Sequence, residues 1–173
     1  MMRSRNSKGF TLAETIVYAA LVGLLMLVIV ETTTAVALAS RRSRAFLDIN
    51  SAAISAFSRF SRDIRRATSV DMVNSTLNAS SGKLVLNMRG DSDDMASTTF
   101  SLSGTRVMTN ETGGISGGIT PDSISVSNLT FRAFTLGTTT AVRVEMTLAP
   151  DASTTVPALN FYGTYVLRGS YTE

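Results

Sequence analysis

"GFTLAETIVYAALVGLLMLVIVE", Gly9 to Glu31, contains the longest apolar run of the chain, with a glutamate set near its start. From Thr15 to Val30 no residue is charged. The stretch Phe10–Val30, 21 residues, is long enough as a helix to cross a hydrocarbon core of ~30 Å. An ionised side chain at that depth costs roughly 3 kcal/mol or more, so it persists where something compensates it. Glu14 therefore raises the question of what it meets.

Outward from this run the pattern changes on both sides. Before it, "MMRSRNSK" is short, polar and basic. After Glu31 and "TTTAVALAS", apolar residues recur at helical spacing: Phe46, Ile49, Ala53, Phe57, Phe60, Ile64 and Ala67. Such a stripe marks an amphipathic helix with one covered face. No proline falls between Phe10 and Thr68, and Gly23 is the only glycine there. One unbroken helix over these ~59 residues would measure ~89 Å, a length suited to a membrane-to-outside stalk.

Beyond Val70 the composition turns to Ser, Thr, Asn and Gly, with short alternating runs. "KLVLNMR" (Lys83–Arg89), "TTFSLS" (Thr98–Ser103), "TRVMT" (Thr105–Thr109), "SISVSNLTFRAF" (Ser123–Phe134), "AVRVEMTLA" (Ala141–Ala149) and "LNFYGTYVLRGSY" (Leu159–Tyr171) read as strands. "RGDSDD", "LSGT", "GGISGG", "LGTT" and "APDASTTVP" supply turns between them. Period-2 alternation predicts an antiparallel sheet with one face covered, and the stripe Phe46–Ile64 is the available cover. The fold class is thus α+β, a long N-terminal helix packed against an antiparallel β-sheet. The organisation is residues 1–9 as leader, 10–31 as membrane helix, 32–70 as its amphipathic continuation and 71–173 as a β-rich domain.

Charge and composition narrow the function. The chain of 173 residues carries a formal +3. Residues 1–70 hold ten Lys/Arg against four Asp/Glu, and residues 71–173 hold six against nine. The β-rich part is mildly acidic and lacks the basic face that nucleic acid requires. There is no histidine, the commonest general base, and no cysteine for a disulfide, a thiolate site or a nucleophile. No nucleophile–base pairing or glycine loop leading into a helix is legible, so no enzymatic activity and no cofactor are expected.

A basic leader ending in Gly9, then Phe10-Thr11-Leu12-Ala13-Glu14, then an apolar helix, resembles the type IV prepilin signal. The resemblance implies cleavage after Gly9 by a prepilin peptidase and N-methylation of Phe10. It further implies that the Glu14 carboxylate meets the Phe10 ammonium of a neighbouring subunit, fixing register during assembly. "FSRFSRDIRRATSV" (Phe57–Val70), followed by "SNLTFRAF", "AVRVEMTL" and "YVLRGSY", resembles the J-type minor pseudopilins of type II secretion and related minor pilins. Implied partners are other minor and major pilins or pseudopilins, an inner-membrane assembly platform and membrane lipid. The implied location is the cytoplasmic membrane, N-terminus cytoplasmic and β-rich domain outside, and then a pilus or pseudopilus.

Other readings stand beside this one. "ALA" (Ala37–Ala39) before Ser40 offers a cleavage site for a secretory signal peptide, although Glu31 and three threonines separate it from the apolar run. An ordinary single-pass anchor has basic residues on both flanks, so charge alone does not orient it. A secreted or anchored β-rich binding domain that never polymerises is the alternative from another class. Asp91, Asp93 and Asp94 in "RGDSDD" form a turn able to attract calcium, but the EF-hand pattern fails at Leu102, leaving a solvated hairpin tip as the plainer reading. The triplet Arg89–Asp91 is a weak adhesion signal. Asn-X-Ser/Thr sequons begin at Asn74, Asn78, Asn110 and Asn128. Arg59, Arg62, Arg65 and Arg66 read as a solvated helix face, with Asp63 pairing to Arg59 or Arg66, rather than as a DNA contact.

Overall fold

The computed structural model describes residues 9, 11–89, 95–114, 116–137, 139–151 and 156–168. One helix, α1 (Leu12–Arg66, 55 residues), precedes eight strands. These are β1 (Ser69–Val70), β2 (Lys83–Arg89), β3 (Met95–Ser103), β4 (Arg106–Glu111), β5 (Gly117–Gly118), β6 (Ile124–Leu136), β7 (Thr139–Pro150) and β8 (Leu159–Val166). The chain divides into two compact units, Met1–Arg41 and Arg42–Glu173. The absence of helix breakers accounts for the continuity of α1, and Arg65 and Arg66 in its last turn oppose the partial negative charge there.

The sequence predicts one sheet, and the structure has two. β1-β2-β3-β4-β5 form one antiparallel sheet, and β6-β7-β8 form a second. Alternation alone reveals strands but not which strands share a sheet, and the split lies in the connection before β2. There Asn78 N–H donates to Phe131 O at 2.8 Å, Gly82 N–H to Leu129 O at 2.7 Å, and Leu129 N–H to Ser80 O at 2.9 Å. This segment runs along β6, with a parallel bridge at Ser81–Leu129, and so joins the two sheets. A Cβ at Gly82 would sit 2.7 Å from Leu129 O, so glycine is what permits the approach. The turn between β3 and β4 needs Gly104 at φ +61°, a region open chiefly to glycine.

One core lies between α1 and both sheets. From the helix it takes Ile49, Ala52, Ala53, Ala56, Phe60 and Ile64, joined by Leu84 and Leu86 of β2, Phe100 of β3, Phe131 of β6 and Val142 and Val144 of β7. Phe60 holds the centre: its ring meets Phe100 edge-on at 5.0 Å and Phe131 at 5.8 Å, one partner from each sheet. The expected stripe is displaced at its ends. Phe46 stays 38 % exposed and Phe57 half-buried, while Ala52 and Ala56 are buried. Small alanines let the strands close on the helix, so the buried face follows close approach rather than side-chain size.

The connection from β1 to β2 contains a tight turn held by Asp71. Its carboxylate accepts the N–H groups of Val73 and Asn74 at 3.0 Å each and the Asn74 side-chain amide at 2.7 Å. The Asn74 side-chain bond leads the causes that hold this carboxyl below its ordinary value of 3.8. A carboxyl depressed in the folded state adds stability above its unfolded pKa and loses it as pH falls through the folded value. The Val73 and Asn74 amide resonances should therefore be constant above pH 4 and move only below it, read by NMR titration. Movement centred above pH 4 contradicts the bonding.

Candidate functional site

In the first unit, α1 begins at Leu12 with Thr11 as its N-cap. Thr11 Oγ1 accepts the Glu14 N–H at 3.4 Å, and Thr11 O accepts the Thr15 N–H at 3.2 Å. Glu14 is thus the third residue of the helix, and Thr11–Glu14 has the Ser/Thr-x-x-Glu spacing of a capping box. A carboxylate in a first turn also faces the partial positive charge of the helix N-terminus. The spacing was visible in the sequence, where the resemblance to a maturation signal drew attention away from it. Gly9 is exposed, with no atom within 4 Å of where a Cβ would sit. Phe10, the residue expected to carry the new N-terminus, lies outside the described residues, as do Met1–Lys8 of the expected leader.

Every side chain from Leu12 to Val30 is exposed. α1 is the one helix among the described residues long and apolar enough to cross a membrane, and none of its most apolar window is buried by the rest of the chain. Thr15, Thr32, Thr33 and Thr34 donate their hydroxyls to helix carbonyls three or four residues back, at 2.7–3.0 Å. Polar groups satisfied within the helix tolerate a non-aqueous surround. This unit therefore has the composition and hydrogen bonding of a single membrane-spanning anchor.

In the second unit, the arginine run of α1 meets β4. Arg59 Nε donates to Asp63 Oδ2 at 2.6 Å, and Arg59 also pairs with Glu111. Arg62 stands 3.7 Å from Asp63. These side chains, with Arg66, Ser97, Thr98 and Thr112, line a cleft of about 350 Å³. The pairing of Asp63 with Arg59 agrees with the sequence. Glu111 was not foreseen, because no local spacing links residues 52 positions apart. Two carboxylates occupy this cleft, so it is no simple anion site.

Asp63 is 5 % exposed, the most buried carboxylate of the helix. Arg59→Ala should destabilise the fold by about 2 kcal/mol, below the 3–5 of a fully enclosed pair because Arg62 remains. Chemical denaturation reads this directly. An effect within a few tenths of a kcal/mol would place Asp63 in contact with water instead.

The remaining sequence candidates separate. Asp91, Asp93 and Asp94 lie outside the described residues. Among the described residues no group of three or more acidic side chains is placed to hold a metal ion. Of the sequons, Asn74 donates to Asp71, Asn78 accepts from Arg132, Asn110 from Ser116 and Asn128 from Thr130. On the far side of α1, an apolar groove of about 250 Å³ lies between Ile54 and Phe57 of the helix and Phe161, Tyr162 and Tyr165 of β8. Burial raises the Tyr165 phenol, offset in part by Arg65, and its hydroxyl reaches Phe57 O at 3.4 Å.

The fold and anchor together define an α+β protein with one membrane-capable helix near its N-terminus. Comparison with protein-family models, curated proteins and solved structures finds no match.

Proposed function

We propose that the chain is a minor pilin or pseudopilin subunit. It enters the cytoplasmic membrane with its leader inside, loses Met1–Gly9 to a prepilin peptidase, and is methylated on Phe10. It then joins, or starts at the tip, a type II secretion pseudopilus or type IV pilus through its N-terminal helix. The observation that carries this reading is the conjunction of a wholly exposed apolar helical surface, Leu12–Val30, with Glu14 in the first turn behind Gly9. Lipid covers such a surface in the monomer, and other pilin helices cover it in a fibre. A carboxylate at the head of that surface then contributes register more than net stability.

One observation favours the rival reading, a membrane-anchored β-rich binding domain that does not polymerise. The Thr11 cap gives Glu14 a local role in starting the helix, without any neighbour.

Because the chain has no cysteine, a single one introduced at Leu24 reports on helix neighbours in native membranes. Oxidative or bismaleimide cross-linking to another subunit bearing a pilin-type helix is the expected result. Monomer alone, under conditions where a control membrane dimer cross-links, contradicts polymerisation.

A further inference from the structure

Two sheets present four outer edges, and three of them are closed or very short. β1 and β5 are two residues each. β6 is flanked by the Asn78–Gly82 segment, and its Val126 N–H is taken by Thr105 O at 2.8 Å. The fourth, β8, is different. It has eight residues, "LNFYGTYV", with no charge, no proline and an unbroken register against β7. Proteins ordinarily blunt an open edge with charge, proline, a bulge or brevity. β8 uses none of these.

The direction of its free backbone groups follows from the register. Leu167 N–H donates to Thr140 O at 3.0 Å, which makes that opposed pair a hydrogen-bonded one. Hydrogen-bonded pairs alternate along an antiparallel ladder, so Tyr165, Gly163 and Phe161 turn their backbone groups toward β7. Asn160, Tyr162, Thr164 and Val166 turn theirs outward. All four are exposed, Tyr162 to 61 % and Val166 to 40 %.

The edge is bordered by the apolar groove over Phe57. Gly163 keeps that groove open to the helix, since a Cβ there would lie 2.8 Å from the Phe57 ring. The surround is cationic. Arg62 and Arg65 line the continuation of the groove past Tyr165, and Arg168 follows β8, its N–H donating to Arg65 O at 3.2 Å. Arg143 lies over the Tyr162 ring at 5.4 Å from its centroid. No acidic side chain lines either part of the groove.

We propose that the outer edge of β8 docks an extended segment of another protein, alternating apolar and acidic residues. The segment continues the β6-β7-β8 sheet by backbone pairing, sets an apolar side chain in the groove over Phe57, and directs carboxylates toward Arg65 and Arg143. Backbone pairing supplies the attachment and the flanking groups the selectivity. Charge decides against a second copy of this chain as occupant, because pairing two β8 edges would bring these arginines together without an acidic complement. The proposal does not rest on polymerisation of the N-terminal helix.

The test uses the full chain in detergent micelles and a capped peptide of about eight residues alternating valine and glutamate. Two comparison peptides carry lysine in place of glutamate, or methyl groups on alternate backbone nitrogens. The glutamate peptide should bind about tenfold tighter than either, by fluorescence anisotropy. It should also slow amide exchange at Tyr162 and Thr164. Thr164→Pro removes an outward N–H without touching the β7 ladder, where an edge tolerates proline, and should abolish binding. The methylated peptide asks the same question of the unaltered chain should that variant misfold. Equal binding of the three peptides, or unchanged exchange at Tyr162 and Thr164, overturns the proposal. So does protection of those amides that grows with protein concentration and needs no peptide, which would assign the edge to a second copy.

Discussion

Glu14→Gln is expected to abolish incorporation into a fibre while leaving membrane insertion intact. Glutamine at the third helical position preserves the capping box with Thr11, so the start of α1 survives. What is lost is the negative charge. In the proposed assembly that charge meets the Phe10 ammonium of a neighbour in an apolar surround, and removing one partner leaves the other uncompensated. The cost is about 3 kcal/mol, roughly a hundredfold per contact. Insertion should be unchanged or improved, since a neutral side chain enters the membrane more readily. Fractionation of membranes and sheared fibres separates the two effects. Normal incorporation of the glutamine variant would confine Glu14 to its role in the first turn and favour the non-polymerising reading. Glu14→Ala is less informative, because it removes cap and charge together.

Phe60→Ala should bring the largest loss of stability in the second unit, about 3–5 kcal/mol. The ring is fully buried and touches Phe57, Phe100 and Phe131 edge-on at 5.9, 5.0 and 5.8 Å. It is a contact common to the helix and both sheets, so the sheets should lose cooperativity with each other as well as with α1. A domain of this size has a total stability of about 5–15 kcal/mol, and the variant forfeits a substantial part of it. Urea denaturation of the unit in its membrane-anchored form measures the change. Phe60→Leu, which fills most of the space, should cost less than half as much. Equal and small effects for both variants would mean that the sheets hold together through the Asn78–Gly82 junction alone.

Helix α1 was legible because its two signals are local: an uncharged run followed by an apolar repeat at helical spacing, with no breaker between them. Strands β2, β6 and β7 were legible from alternation, and β2 has the bounds read from the sequence, Lys83–Arg89. β1 and β5 were not, since two residues carry no period. The division into two sheets was hidden because it depends on Gly82 meeting Leu129, a contact that strand patterns do not encode. The last strand was drawn too long, to Tyr171, whereas β8 ends at Val166. Among candidate site residues, Gly9 and Glu14 stood out by spacing, and the Arg59–Asp63 pair by its i,i+4 separation. Glu111 and the open edge of β8 emerge only from tertiary structure, because each is defined by what folding brings near or leaves unpaired.

The most direct test of the central claim is the N-terminal residue and intact mass of the protein purified from its native membranes. The account predicts a chain that begins at Phe10 and is heavier by one methyl group. A chain that begins at Ser40 would lack the assembly helix, and one that still begins at Met1 would lack the processing on which assembly depends; either contradicts it.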